Sequence, residues 1–175
     1  AYTDRMTRVV TDYEAYLFGE GTWLQAWEKL GARPAVINDQ SGYTFAVWAP
    51  SASRVSVVGD FNQWDGQAHP MRSLGASGLW ETFVPGVTEG QPYKFELQSA
   101  MGGDAFTKAD PFALAAEHPP KTASVTSTLG RHEWRDHDWM DARTVRDVAL
   151  DAPMVIYEVH VGSWRRKPEE GDRSL

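Results

Sequence analysis

Four segments of the chain are predicted to be strands, and the last of them shows the clearest alternation of residues with the period of two that is typical of half-buried strands. They are Tyr43–Trp48, Arg54–Gly59, Leu79–Val84 and Gln91–Gln98. Turn residues separate them, including Ala49-Pro50-Ser51 and Pro85-Gly86. Strands at roughly ten-residue spacing with Gly and Pro turns between them predict an antiparallel β-sandwich of immunoglobulin-like type. Thr122–Thr128 is expected to supply a last strand.

Two helical segments are predicted before these strands. From Val9 to Phe18 the apolar residues recur at helical spacing. A second helix is predicted from Thr22 to Leu30, because Thr22 and Gln25 fit a capping box. Gly31 stands where a helix typically ends in the left-handed conformation.

The end of the chain has a different pattern. Gly130–Asp151 is polar and acidic and is predicted to be a linker. Met154–Val161 is a nearly continuous apolar run, which is typical of a strand buried on both faces in a parallel sheet or barrel. Such a strand needs partners, so a second domain is expected to start there and to be cut off. The predicted division is 1–33 helical segment, 34–129 sandwich, 130–152 linker and 153–175 start of the second domain.

Composition narrows the classes of partner. The 175 residues carry a net charge of −7, and an acidic balance argues against nucleic acid or an anionic membrane as partner. The chain has no cysteine, so disulfides and thiolate metal sites are excluded, and a cytoplasmic location is the simplest expectation. No apolar run has the length of a membrane span. The chain begins at Ala1 instead of Met, and we expect it to be a fragment.

A search for catalytic chemistry finds little. The five histidines are scattered, and His132 and His137 are too loosely spaced to indicate a zinc site without further ligands. Acids such as Glu169 and Glu170 lie in polar stretches, and nothing fixes a carboxylate pair across a glycosidic bond. We predict no catalytic residue, no metal site and no cofactor within this chain.

The positive signal is the stretch Arg54–Gly66, in which a Val-rich strand runs into a polar turn that carries Trp64. An exposed aromatic ring is a flat apolar face on which a sugar ring stacks, with amide or charged groups to bond its hydroxyls. Asn62 and Lys94 are candidates for that role if their strands are neighbours. The alternative is that Trp64 folds back and caps the sandwich, and the pattern alone does not decide between them.

Several motifs, taken in order along the chain, resemble bacterial 1,4-α-glucan (glycogen) branching enzymes of the α-amylase superfamily. They are Tyr16–Thr22, Glu28–Ala32, Phe45–Pro50, Val55–Asn62, Trp64–Gly66, His69–Arg72, Tyr93–Glu96, Ala109–Phe112 and Ile156–Arg166. The resemblance implies an early-set carbohydrate-binding module followed by the first strand of a catalytic (β/α)8 barrel. It implies cutting of an α-1,4-glucan and reattachment through an α-1,6 bond by an Asp nucleophile, a Glu acid/base and a supporting Asp. All three are expected after Leu175.

The same resemblance maps carbohydrate contacts onto Trp64 and Lys94, with α-glucan and the enzyme's own barrel as partners. Two departures stand out. The segment Ser99–Gly103 lacks the second Trp of related modules, and Trp23 stands where branching enzymes usually carry His. Two alternatives stay open: a stand-alone glycogen-binding module, and an isoamylase-type debranching enzyme. Met154–Val161 argues against the first, and the run Gly162–Arg166 argues against the second.

Overall fold

The computed structural model describes residues 8–130, 132–145, 155–160 and 164. The chain divides into two units, Ala1–Arg131 and His132–Leu175, and each is described by itself below.

Nine strands of the first unit form two antiparallel sheets. They are β1 Gly31–Ile37, β2 Gln40–Trp48, β3 Ala52–Gly59, β4 Arg72–Ser73, β5 Leu79–Pro85, β6 Pro92–Ser99, β7 Phe106–Lys108, β8 Ala115–Ala116 and β9 Ser124–Val125. The first sheet has the order β1-β2-β5-β4. The second has the order β3-β6-β9-β8, with β7 also paired to β6. The predicted immunoglobulin-like β-sandwich is confirmed.

The core lies between the inner faces of the two sheets. Alternate residues of β2 and β6 supply its aromatic rings, and Phe45 meets Tyr93 edge-on at a centroid distance of 5.2 Å. Val55 and Val57 of β3 are fully buried in the same cluster. Because side chains alternate across a strand, one apolar residue in two is enough to build this core.

The four predicted strands are present as β2, β3, β5 and β6, whereas β1 and the short strands β4, β7 and β8 were not predicted. Because of Pro34, no strand was predicted in the segment of β1, although Pro34 lies opposite Tyr43 in the sheet. Proline lacks the N–H donor for a ladder and is confined to edge strands. β1 is the edge strand of the first sheet, which is why proline is tolerated there. Of the strand predicted at Thr122–Thr128, only Ser124–Val125 is paired as a strand.

The N-terminal segment contains one α-helix, α1 Asp12–Gly19. Its capping box joins Thr11 and Glu14: the Thr11 N–H donates to the Glu14 carboxylate, and the Glu14 N–H donates to the Thr11 hydroxyl. The second predicted helix is wrong, because Thr22 and Trp23 have no regular secondary structure, Leu24 and Gln25 lie in a turn, and Ala26–Glu28 makes a single 3-10 turn. The capping box predicted for this segment is not formed, since the Thr22 hydroxyl donates to the Leu17 carbonyl at 3.4 Å. The apolar residues of the segment, among them Leu30, pack against the first sheet instead.

This segment packs on the outer face of the first sheet. Val10 and Leu30 are buried there against Ala46 of β2 and Leu79 of β5. The carboxylate of Glu81 on β5 accepts from the N–H groups of Val9 (3.1 Å) and Val10 (2.8 Å). Its other oxygen pairs with Arg72 of β4. The N-terminal segment thus covers the part of this outer face around Ala46, Leu79 and Glu81, whereas Trp48 is 54% exposed.

The second unit contains the helix α2 His137–Val145, in a segment that the sequence pattern predicted to be a linker. Of the strand predicted at Met154–Val161, the end residues lie outside the described part of the chain. Residues 155–160 have no regular secondary structure, and Val155 and Ile156 are 95% and 82% exposed. A strand that is apolar on both faces needs partner strands, and none is paired with it among the described residues. In the part of the chain that the structure describes, no helix is long and apolar enough to cross a membrane.

Candidate carbohydrate-contact site

The candidate site is built on the turn Gly59–Gly66, here called the Trp64 turn, which directly follows β3. Asp60–Asn62 makes a 3-10 turn, and Gln63 and Trp64 both have left-handed backbone conformations, with φ of 57° and 62°. Gly59 is required by close approach: a Cβ atom there would lie 2.5 Å from the Pro92 carbonyl oxygen. The same atom would lie 2.6 Å from the ring of Phe61, which packs against the core. The turn therefore lies tightly against the end of the sandwich.

The side chain of Asn62 holds the turn together. Its Oδ1 accepts from the Gly59 N–H at 2.9 Å, and its Nδ2 donates to the Val57 carbonyl at 2.9 Å. A further bond joins Nδ2 to Nδ1 of His69 at 2.9 Å. The Asn62 amide, predicted from the sequence to bond sugar hydroxyls, thus makes hydrogen bonds within the protein. Its role as a carbohydrate contact stays a prediction, while its role in shaping the turn is evident from these bonds.

Trp64 presents part of its ring to solvent. The side chain is 40% exposed and does not belong to the core cluster. Its indole Nε1 donates to Oδ1 of Asp60 at 2.8 Å, and its backbone N–H donates to the Gly59 carbonyl at 3.0 Å. The indole is therefore held at its polar end, which leaves a fixed apolar face. That geometry fits a stacking platform better than a cap on the core.

Lys94 lies on the strand next to the turn. β3 and β6 are neighbours, as the predicted site requires, and Lys94 is the register partner of Val58. Residues opposite each other in an antiparallel pair share a face. Tyr93 and Phe95 point into the core, so Lys94 belongs to the outer face of the second sheet. Its Nζ donates to the Thr122 hydroxyl at 2.7 Å, which positions the ammonium group there.

The loop after Trp64 returns along the free edge of β3. The Val57 N–H donates to the His69 carbonyl at 3.1 Å, and the Met71 N–H donates to the Val55 carbonyl at 2.8 Å. Arg54 ties down the start of this loop, since it donates to the Gly66 carbonyl at 3.1 Å and pairs with Glu96 at 2.9 Å. The loop that follows the Trp64 turn is thus bonded to β3 and Arg54.

His69 is a member of the site that sequence reasoning missed. It is half-buried, its ring meets Phe61 at a centroid distance of 5.9 Å, and burial lowers its pKa below the usual range for histidine. The sequence offered one signal, a histidine-proline pair seven residues after Asn62. Nothing in that spacing predicts a ring–amide bond.

Two further features bear on ligand chemistry. The segment that lacks the second Trp follows β6, and its only large apolar side chain, Met101, is 97% exposed. A thioether chain is not a flat platform, so Trp64 has no aromatic partner from that segment. Within residues 8–130, 132–145, 155–160 and 164, no three His, Cys, Asp or Glu side chains are placed to hold a metal ion.

The family of this sandwich is decided by comparison with known domains. Residues 29–113 match the family described as carbohydrate-binding module 48 (isoamylase N-terminal domain). These residues belong to that family. The match contains β1 to β7, the Trp64 turn and Lys94. Module 48 is thus the part of the chain that carries the candidate site.

Similarity to whole proteins extends beyond the module. The chain is 51% identical over 171 residues to the 1,4-alpha-glucan branching enzyme GlgB of Paramagnetospirillum magneticum, which covers 98% of this chain and 23% of that protein. It is 53% identical over 165 residues to GlgB of Rubrobacter xylanophilus, which covers 94% of this chain and 22% of that protein. The resemblance to branching enzymes is confirmed. The chain spans less than a quarter of the length of these relatives.

Among solved structures, apo pullulanase from Klebsiella pneumoniae is similar to 59% of this chain and 11% of its own, at 26% identity and a TM-score of 0.45. A score this low adds nothing to the family assignment.

Proposed function

We propose that the chain is part of a 1,4-α-glucan branching enzyme, which cuts an α-1,4-glucan chain and reattaches it through an α-1,6 bond. The observation that carries the proposal is the identity of about half over 94–98% of the chain to proteins with that name. The catalytic acids are expected outside the chain, on later strands of a barrel that would begin near Met154. The apolar residues 155–160, exposed here, are the segment that such a barrel would bury.

Within this enzyme, module 48 would contact the α-glucan substrate at the Trp64 turn. The exposed indole face would stack on a glucose ring, and Lys94 would donate to hydroxyl groups. A contact outside the active centre raises the local concentration of chain ends near the catalytic groups. The module would therefore act on substrate binding more than on the chemical step. A cytoplasmic location belongs to the same proposal.

The activity is tested with the full-length protein that contains this chain. Incubation with amylose should lower the iodine absorbance and create α-1,6 branch points that isoamylase then releases. If the protein instead hydrolyses existing α-1,6 bonds, the debranching alternative is correct. If purified full-length protein makes no branch points, the branching proposal is wrong.

The binding site is tested by co-sedimentation of the chain with glycogen. The chain should pellet with glycogen, and Trp64→Ala should reduce the pelleted fraction several-fold, because it removes the stacking face. Trp27→Ala is the matched control, since Trp27 is similarly exposed, at 47%, but lies in the N-terminal segment. Equal pelleting of Trp64→Ala and the unsubstituted chain would remove Trp64 from the site.

A further inference from the structure

We propose that His69 is the positioning residue of the Trp64 turn, and that protonation of its ring releases the turn and weakens glucan binding. The inference about glucan rests on the proposed function, whereas the coupling between His69 and the turn rests on the geometry alone. It assigns to this histidine a role in which it touches no substrate.

The first step is the orientation of the Asn62 amide. The Gly59 N–H needs an acceptor and meets Oδ1, while the Val57 carbonyl needs a donor and meets Nδ2, both at 2.9 Å. Exchanging the two ends of the amide would place two acceptors together and two donors together. The backbone therefore fixes which atom of Asn62 faces His69, and that atom is the donor Nδ2.

The second step is the protonation state of His69. Because Nδ2 of Asn62 donates, Nδ1 of His69, 2.9 Å away, has to accept. A histidine nitrogen accepts only when it carries no proton, so the bond requires a neutral ring with its proton on Nε2. The hydrogen bonds of the turn therefore require a neutral His69 ring with its proton on Nε2.

The third step is the consequence of adding a proton. An imidazolium ring carries N–H donors on both nitrogens, so Nδ1 would then face the Asn62 amide donor to donor. Either the ring or the amide has to rotate, and the bonds of Asn62 inside the turn are lost. Gln63 and Trp64 hold left-handed conformations, which are strained for residues that carry a Cβ atom. Without the Asn62 bonds, the two strained residues are held chiefly by the bonds of Trp64 to Asp60 and Gly59, and the indole face is less firmly positioned.

The charged groups around the turn do not offset this effect. Asp60 bonds to Trp64, Asp65 accepts from the Gln67 N–H, Arg54 and Glu96 pair with each other, and Lys94 bonds to Thr122. Among the described residues, Asn62 is the hydrogen-bond partner of the His69 ring, and burial is the cause that lowers its pKa.

The direction of the pH effect follows. A lowered pKa in the folded state means that the neutral ring is favoured there. The stabilisation is complete above the usual histidine pKa of about 6.5 and is lost as pH falls through the lowered value. The turn should thus be ordered at neutral pH and released in acid.

The coupling is measured by nitrogen NMR of the 175-residue chain. At neutral pH the His69 ring should show the tautomer protonated on Nε2. On acidification the indole N–H signal of Trp64 should shift with the same midpoint as the His69 ring. In parallel, glycogen co-sedimentation should fall several-fold between about pH 7.5 and about pH 5. A Trp64 signal that does not follow His69, or a tautomer protonated on Nδ1, would overturn the proposal.

Two variants distinguish protonation of His69 from other effects of acid on the chain. In His69→Asn the side-chain oxygen takes the place of Nδ1 as acceptor but does not titrate, so the Trp64 step at the histidine midpoint should disappear and glycogen pelleting should persist at about pH 5. His118→Asn removes an exposed histidine and should keep the pH profile of the unsubstituted chain. If His69→Asn keeps the acid loss, the inference is wrong. If the chain binds glycogen at no pH, the proposed function fails, while the NMR result still decides the coupling.

Discussion

The outer faces of the two sheets are organised differently, although each carries a Glu–Arg pair that binds backbone groups of another segment of the chain. On the first sheet, Glu81 is 2% exposed and binds two backbone N–H groups as well as Arg72. On the second sheet, Glu96 is 21% exposed, and its partner Arg54 binds the Gly66 carbonyl. The Glu81–Arg72 pair lies beneath the apolar residues of the N-terminal segment, and the Glu96–Arg54 pair lies at a partly exposed surface.

This difference separates a face that the N-terminal segment packs on from a face that carries the proposed contact site. Apolar residues of the first sheet, Ala46 and Leu79, are fully covered by the N-terminal segment. Lys94 and Glu96 of the second sheet stay half-exposed beside the Trp64 turn. A glucan can reach only a face that the protein leaves open. The comparison predicts that substitutions on the first sheet change stability, and that those on the second change the site.

The largest contrast should come from removing each carboxylate. Glu81→Ala leaves Arg72 unpaired and two N–H groups without their acceptor, and it should lower the free energy of unfolding by about 3 kcal/mol. This is the low end for a broken buried pair, because Arg72 is one-third exposed and can turn to water. Urea denaturation of the chain measures it.

Glu96→Ala is the matched control. Its ion pair is partly solvated, so the loss should stay below about 1 kcal/mol. Equal losses for the two substitutions would show that burial does not distinguish the faces, and the comparison would fail.

Strands β3 and β6 of the second sheet were easier to predict from the sequence than the packing of the N-terminal segment on the first sheet. Strand β6 alternates clearly and strand β3 carries a run of valines, so residues such as Phe95 and Val57 indicate the core directly. The N-terminal segment is held by single apolar contacts such as Leu30 and by Glu81, which is 72 and 71 residues from the backbone N–H groups that it binds. No local pattern encodes a pairing of that range.

The candidate site was predicted only in part for a similar reason. The exposure of Trp64 was left open by the pattern, whereas the turn chemistry of Gly59–Gly66 can be read from the residue types. The bond between Asn62 and His69 cannot, because it depends on how the loop returns along β3. Strand β1 was missed for the same reason. Proline excludes a strand only from the interior of a sheet, and the sequence around Pro34 does not show that β1 lies at the edge.

A smaller contrast should come from two glycines. At Gly42 of β2 an added Cβ would lie 2.3 Å from the Val84 carbonyl oxygen, and a paired backbone cannot move aside. Gly42→Ala should cost about 2 kcal/mol through overpacking. At Gly66 the Cβ would lie 1.9 Å from the end of the Glu96 side chain, which can rotate away. Gly66→Ala should cost about 1 kcal/mol.

Rescue distinguishes the two glycines. Combining Gly66→Ala with Glu96→Ala removes the clash, so the double variant should be no less stable than Glu96→Ala alone. No side-chain truncation can relieve Gly42→Ala, because its obstacle is backbone. Additive losses in the Gly66–Glu96 pair would mean that the turn does not rest on that carboxylate.

The smallest effect tests how the cover of the first sheet begins. Thr11 caps α1 through a reciprocal bond with Glu14, whereas Thr22, predicted from sequence to cap a helix, makes only a 3.4 Å contact with the Leu17 carbonyl. Thr11→Ala should therefore destabilise α1 by about 0.5–1 kcal/mol, and Thr22→Ala should have almost no effect. Amide exchange at Ala15, whose N–H donates to the Thr11 carbonyl, reports the difference. Because Glu81 anchors Val9 and Val10 before the helix starts, Thr11→Ala should fray α1 while the N–H groups of Val9 and Val10 stay protected. If their protection is lost together with that of α1, the cover depends on its helix, and Glu81 is not its independent anchor.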